Sequence, residues 1–189
     1  MTERWTQERM RGVAREEREA LGVGPLDPFD PYALCEEHGI AVYTVADLRK
    51  VGLSVDAADH FTNTRRSAWS AALVPLGSAR IIVENNAHTL QRRRSSISHE
   101  IGHHLLEHEF DTVILGEDHT RQFDAVVEKQ ATYIAGELLV PLAAAERMAF
   151  DGWDNAQVAA KYDVSEQFAQ MQMKGQRVRA KRAAAKFSH

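Results

Sequence analysis

The chain has 189 residues, a length that fits one domain or one domain with a small appendage. Hydrophobic residues make up 44% and charged residues 26%, as in soluble globular proteins, and the formal net charge of −4 excludes the overall positive charge of a typical nucleic-acid-binding protein. The single cysteine, Cys35, excludes an intrachain disulfide, and no apolar run begins the chain. We therefore expect a cytoplasmic protein without signal peptide or transmembrane helix.

Hydrophobic periodicity, N-cap signals and the positions of Gly and Pro predict an α+β fold that is mainly helical and has a small three-stranded sheet. The predicted elements, in chain order, are helices over 3–21 and 31–38, a strand over 40–45, a loop over 50–66, strands over 67–76 and 79–83, and helices over 89–108, 121–140, 142–149, 154–162 and from 165 onward. We divide the chain into a domain over 1–150 and a helical extension over 151–189.

A His-Glu-x-x-His pattern lies at 99–103, within the predicted helix 89–108. Residues four apart on an α-helix lie about 40° apart around the axis and about one turn along it, so His99 and His103 can bind one metal ion. Glu100 projects about 100° further round, where it can reach a water bound to that metal. Zinc metallopeptidases have this arrangement, with the glutamate as the base. A chance occurrence of the pattern is the alternative.

A peptidase zinc needs three protein ligands and one open position for water, so the third ligand must come from another element. On the predicted helix 121–140, Glu128 shares its face with small and apolar residues, namely Ala131, Thr132, Ala135, Leu138 and Leu139. An ionised carboxylate on a core-facing side is costly unless it is paired or bound to a metal. Glu128 is therefore our candidate, and small residues on this helix would let it approach the first helix closely at Gly102. A salt bridge, or a rotated helix that exposes Glu128, is the alternative.

Other carboxylate and imidazole groups are alternative ligands. Glu137 lies nine residues beyond the candidate on the same helix, about 180° away, so the two carboxylates cannot face one metal. His104 and His108 project about 140° and 180° away from the first ligand histidine, which favours structural roles for both. His119, in the predicted connection between the two helices, also has the chemistry of a ligand.

Two segments share a pattern with a known family. The first, 98–106, contains the pentapeptide, and the second, 128–141, reads Glu-Lys-Gln-Ala-Thr-Tyr-Ile-Ala-Gly-Glu-Leu-Leu-Val-Pro. Together they resemble the ImmA/IrrE family of metallopeptidases, which pairs a His-Glu-x-Gly-His helix with a later Glu-x-x-Ala-Asn-x-Phe-Ala-x-x-Leu-Leu-x-Pro segment. The stretch 79–86, with the arginines that follow it, is also similar to the family. The resemblance covers roughly residues 30–175.

The resemblance implies a zincin-like metallopeptidase core in which Zn²⁺ is held by His99, His103 and Glu128, with Glu100 as the catalytic base. The first glutamate of the family's second segment is the third ligand, and it falls on Glu128. The resemblance further implies an intracellular zinc-dependent endopeptidase. Its substrate would be a helix-turn-helix transcriptional repressor, whose cleavage triggers a stress or mobile-element response.

The chain departs from the family pattern at two positions, where Thr132 replaces the usual Asn and Ile134 the usual Phe. Neither position is a ligand, so the departures concern substrate fit rather than the metal. A substrate segment could add a strand at the edge of the sheet, at the second or third predicted strand. Tyr133 and His88 are candidate donors to the developing oxyanion, with packing roles for both as the equal alternative, so neither is assigned.

The segment 155–168 resembles a helix-turn-helix, a unit that follows the peptidase domain in ImmA/IrrE proteins. Val158 and Tyr162 would pack the first helix, and Ser165 would cap the second. The candidate recognition helix is not basic, although the residues from Lys174 onward are, and we expect these to form a frayed, solvated tail. This favours a structural or protein-docking role over direct DNA binding.

Two other functions compete with the peptidase. One is a non-catalytic, zinc-containing regulatory module that docks to a repressor or to DNA. The other is a partner in a toxin–antitoxin pair. The presence of Glu100 favours catalysis, because a purely structural metal site has no need of a base.

Overall fold

The computed structural model describes residues 5–108 and 125–187, and within these ranges the chain forms nine α-helices and three β-strands. The elements in chain order are α1 (Gln7–Ala20), α2 (Pro31–Glu37), β1 (Ala41–Thr44), α3 (Val45–Lys50), α4 (Val55–Asp59), β2 (Ala71–Leu76), β3 (Ala79–Glu84), α5 (Leu90–Leu105), α6 (Ala125–Leu139), α7 (Leu142–Phe150), α8 (Asn155–Tyr162) and α9 (Glu166–Phe187). The predicted mainly helical α+β fold with a small sheet is confirmed. Within the described ranges, no helix combines the length and the apolar character needed to cross a membrane.

The sheet is mixed and has the strand order β1-β3-β2. Strand β1 runs parallel to β3, whereas β2 runs antiparallel to it and pairs Leu73 with Ile82. Because β3 is central, the expectation that 79–83 could provide a free edge is wrong. Strand β2 is an edge strand and packs beside α5. It begins at Ala71, later than predicted.

The predicted loop over 50–66 is wrong, because α4 and a π-helical turn occupy residues 55–64. Another short helix, α3, precedes them and ends at Lys50. Helix α3 begins with a capping box, in which the Asp47 N–H donates to the Thr44 hydroxyl over 3.0 Å and the Thr44 N–H donates to the Asp47 carboxylate over 3.1 Å. At the start of α4 only the N-cap side chain takes part: the Ser54 hydroxyl accepts from the Ala57 N–H over 3.1 Å, and a π-helical turn, His60–Thr64, follows. The prediction of a loop rested on the polar, mixed composition of the segment, whereas side-chain caps begin the short helices that the structure shows.

Helices α5 and α6 form the centre of the molecule and pack against each other along their apolar faces. Four isoleucine and leucine side chains at this contact are fully buried, namely Ile97, Ile101, Ile134 and Leu138. The helices approach closely at Gly102, where an added Cβ would lie 2.7 Å from Cγ2 of Ile134 and 3.2 Å from the carbonyl oxygen of Ala131. The predicted close approach at Gly102 is confirmed, and it fixes how the functional faces of the two helices meet.

This contact predicts a stability difference between two glycine substitutions. Gly175, exposed on α9, has no atom within 4 Å of an added Cβ. Alanine raises helix propensity equally at both positions, so Gly102→Ala is expected to be less stable than Gly175→Ala by about 1–3 kcal/mol, the usual cost of overpacking. Urea unfolding of the two variants measures the difference. Equal free energies of unfolding would contradict the tight contact.

The C-terminal helices pack onto the same hydrophobic core as the rest of the described chain. Tyr162 is buried, and its hydroxyl donates to the Leu26 carbonyl over 2.8 Å. Val158 and Met173 belong to the core cluster that also contains Met10. The division of the chain at residue 150 and the assignment of a helix-turn-helix stay predictions.

The basic C-terminal segment is helical, so the expectation of a frayed tail is wrong up to Phe187, where the described chain ends. Arg177 donates to the Trp153 carbonyl over 3.1 Å, and Arg179 pairs with Glu146 of α7. These contacts join α9 to the preceding helices. Most of the other basic side chains of this segment are exposed.

Candidate metal centre

The described structure brings together the three predicted ligands from two helices. His99 and His103 lie one turn apart on α5, and Glu128 lies in the first turn of α6. The Nε2 atoms of the two histidines are 3.2 Å apart. The Glu128 carboxylate lies 3.1 Å from Nε2 of His99 and 3.5 Å from Nε2 of His103. Among the described residues, no other group of three His, Cys, Asp or Glu side chains has metal-binding geometry.

One ligand atom from each of these three residues lies within 4.8 Å of the other two, so the three side chains can converge on one metal ion. Bonds of about 2.0–2.2 Å at a tetrahedral angle separate neighbouring ligand atoms by about 3.3–3.6 Å, and the two Nε2 atoms are 3.2 Å apart. The carboxylate faces both rings, with Oε2 toward His99 and Oε1 toward His103. Two imidazole nitrogens and a carboxylate oxygen are also the donors that zinc accepts in peptidases. His103 is buried, whereas the His99 and Glu128 side chains are 25% and 31% exposed. Such a site could hold a metal and leave one coordination position open to solvent.

Glu100, a residue of α5, is buried against the edge strand β2. Its carboxylate accepts a hydrogen bond from the Leu73 N–H over 2.8 Å. Leu73 pairs with Ile82 in the register of the sheet, and its N–H points away from β3 toward α5. The edge strand therefore holds the Glu100 carboxylate in place on the turn that carries the two histidines.

A groove of about 330 Å³ runs beside His99 and Glu100. Its walls include Ala71 from β2, Arg92 from α5 and two apolar side chains of α9, Phe168 and Met171. The C-terminal helix thus forms part of the groove next to the candidate metal centre, a contribution that sequence periodicity did not indicate.

Glu137 lies apart from the three predicted ligands. It accepts a hydrogen bond from the Leu142 N–H over 3.0 Å and lines a larger cavity of about 480 Å³ between α1 and the α6–α7 junction. Burial raises the pKa of its carboxyl. The hydroxyl of Tyr133, the other candidate oxyanion donor from the sequence, accepts a hydrogen bond from Arg11 of α1 over 3.2 Å. The carboxylate of Glu137 is therefore separate from the candidate centre, as its helical position predicted.

His104 belongs to a different cluster. Its Nδ1 lies 2.9 Å from an Arg80 guanidinium nitrogen, and its Nε2 lies 3.3 Å from Nδ1 of His38. His38 in turn contacts the Glu17 carboxylate over 2.8 Å. Burial and the nearby Arg80 lower the pKa of His104. The ring of His88, which the sequence offered as a candidate oxyanion donor, contacts the carbonyl oxygen of Trp69 over 3.1 Å.

His108 does not lie on the far side of the helix, as its spacing predicted, because α5 ends at Leu105. Glu107 adopts a left-handed conformation with φ of 52°, and the His108 N–H donates to the His103 carbonyl over 3.0 Å. This is a Schellman cap, here built without glycine. The reversal returns the His108 ring to that of His103, with 3.0 Å between their Nδ1 atoms. His119 lies outside the described residues.

These features define a class of protein. A His-Glu-x-x-His helix with a carboxylate from a second helix is the arrangement of zinc-dependent metallopeptidases. The peptidase family described as the IrrE N-terminal-like domain matches residues 35–174, well over half of the chain. The chain belongs to this family, which confirms the resemblance seen in the sequence and shows a metallopeptidase-like domain. Among curated proteins, no match is found.

Proposed function

We propose that the protein is an intracellular zinc-dependent endopeptidase, with Zn²⁺ held by His99, His103 and Glu128. The observation that carries this proposal is the convergence of the three side chains, each of which offers one ligand atom within 4.8 Å of the other two, with two imidazoles and a carboxylate as the donors that zinc accepts in peptidases. The single cysteine, Cys35, suits a reducing compartment. The family supports peptide hydrolysis as the reaction.

The proposed mechanism gives Glu100 the proton transfers. A bound zinc ion would supply a Lewis acid that acidifies water and polarises the substrate carbonyl. Glu100 accepts a proton from the attacking water and delivers it to the departing amine nitrogen, so that the peptide bond breaks into an acid and an amine. The hydrogen bond from the Leu73 N–H orients the carboxylate for both transfers.

The substrate is proposed to bind in extended form in the groove beside β2. This strand is an edge of the sheet, so a peptide could pair as a further strand with its outward backbone groups other than the Leu73 N–H, which donates to Glu100. Phe168 and Met171 of α9 add apolar surface to the lining of this groove. This favours a protein-docking role for the C-terminal helices, with DNA binding through the basic segment as the alternative.

By its family resemblance, the proposed substrate is a helix-turn-helix repressor, whose cleavage would start a stress or mobile-element response. The test is to incubate the zinc-loaded protein with the repressor encoded beside its gene and to identify fragments by mass spectrometry. Defined fragments that disappear after chelation and return with zinc are expected. Binding without cleavage would instead favour the non-catalytic regulatory module or a toxin–antitoxin partner, and would contradict the endopeptidase.

A further inference from the structure

The two ring nitrogens of His103 face different partners. Its Nε2 points to the candidate metal centre, 3.2 Å from Nε2 of His99. Its Nδ1 lies 3.0 Å from Nδ1 of His108, whose Nε2 lies 3.0 Å from Oε1 of Gln130. His103 and His108 are only 5% and 7% exposed. The rings and the amide form a continuous hydrogen-bonded chain behind the site.

The acceptor at the end of this hydrogen-bonded chain, Gln130, determines which ring nitrogen donates in each hydrogen bond. An amide oxygen only accepts, so Nε2 of His108 carries the proton that it donates to Gln130. A neutral His108 then has a bare Nδ1, which accepts from Nδ1–H of His103. With its proton on Nδ1, neutral His103 keeps a lone pair on Nε2, where a metal would bind. A reversed Gln130 amide would reverse every donor and place a proton on that Nε2.

The backbone supports the chain from both helices. The Schellman cap at Glu107 turns His108 back toward the end of α5. Gln130 lies two residues after Glu128 on α6, so one turn of this helix supplies both the candidate third ligand and the terminal acceptor. The rings could therefore be oriented before any metal arrives.

We propose that His108 and Gln130 are positioning residues that hold His103 as the Nδ1–H tautomer, with Nε2 directed at the metal. The inference rests on the proposed zinc site but does not require peptide hydrolysis. Partners of this kind fix the tautomer of a metal-binding histidine, and their loss typically lowers metal affinity by about 10–100-fold. Neither residue touches the substrate groove.

The first test reads the tautomer in the metal-free protein. Histidine labelled with ¹⁵N gives distinct shifts for protonated and bare ring nitrogens, and a His103→Asn variant assigns the signals. At about pH 8, where an ordinary imidazole is neutral, His103 is expected to carry its proton on Nδ1. The Nε2–H tautomer at His103 in the unmodified protein would overturn the proposal.

The second test compares two substitutions at Gln130. Gln130→Met keeps the approximate length of the side chain but replaces the amide oxygen by a thioether sulfur, which is only a weak acceptor, and is expected to lower zinc affinity by about 10–100-fold in competition with a chromogenic chelator. Gln130→Glu keeps an acceptor and is expected to restore the affinity. Gln170→Met, at an exposed position on α9, controls for the substitution itself. Equal zinc affinity for Gln130→Met and the unmodified protein would overturn the proposal.

The outcomes separate this inference from the proposed function. A protein with the expected tautomer and zinc affinities that cleaves nothing contradicts the endopeptidase and leaves the positioning role supported. If the unmodified protein cleaves its substrate, and the Gln130→Met variant binds zinc with the same affinity as the unmodified protein, only the positioning role is contradicted. Circular dichroism of each variant confirms that affinity is compared between folded proteins.

Discussion

Glu100→Gln is expected to abolish measurable peptide hydrolysis while zinc content stays at the level of the unmodified protein. The amide keeps the shape of the side chain, and its oxygen can still accept from the Leu73 N–H, but it cannot take a proton from the attacking water. General-base catalysis contributes about 10²–10⁴-fold to the rate, so kcat should fall by at least about 10²-fold. Zinc analysis and a fluorogenic peptide assay on one preparation measure both quantities.

Glu137→Gln is the matched control for this substitution. Glu137 is also a buried helical carboxylate that accepts a backbone N–H, but it lies in the separate cavity near α1. The Glu137→Gln variant should therefore retain the peptidase activity of the unmodified protein. If Glu100→Gln hydrolysed peptides as fast as this control, Glu100 could not be the general base.

Glu128→Ala is expected to lose most of its zinc affinity. The carboxylate lies 3.1 Å from Nε2 of His99 and 3.5 Å from Nε2 of His103, and removing it leaves two protein ligands where peptidase sites have three. Partners outside the coordination shell already contribute about 10–100-fold, so the loss of a direct ligand should exceed about 100-fold. Competition with a chelator measures the affinity.

The fold should tolerate this change, because the Glu128 side chain is 31% exposed and alanine favours a helix. Lys129→Ala, at the neighbouring exposed position on α6, provides the control and should bind zinc normally. Zinc affinity of Glu128→Ala equal to that of Lys129→Ala would remove Glu128 from the ligand set.

The residues that gather at the candidate centre were predictable because helical spacing is a local property. Four residues on one helix set the relation of His99 to His103, and the small, apolar face around Glu128 set the orientation of the second helix. Gly102 and the apolar residues near it indicated where the two helices would meet. These features depend on periodicity over a few turns, and the structure retains them.

Other features were not predictable because they depend on backbone conformation or on distant contacts. A helix commonly ends at a glycine or asparagine, and nothing of this kind marks the reversal at Glu107, so the return of His108 was missed. The strand order, with β3 at the centre, follows from long-range pairing rather than local pattern. The part of α9 in the groove depends on how the C-terminal helices pack on the core.

The packing of α5 against α6 has a thermodynamic consequence for the proposed site. The side chains that join these helices, Ile97, Ile101, Ile134 and Leu138, are buried without any contribution from a metal. In small zinc domains, the free energy of metal binding is also the free energy of folding. Here the apolar contact brings together the two helices that carry the donor atoms, so we expect the site to be preorganised. Loss and uptake of the ion would then be equilibria of a folded protein, separate from its unfolding.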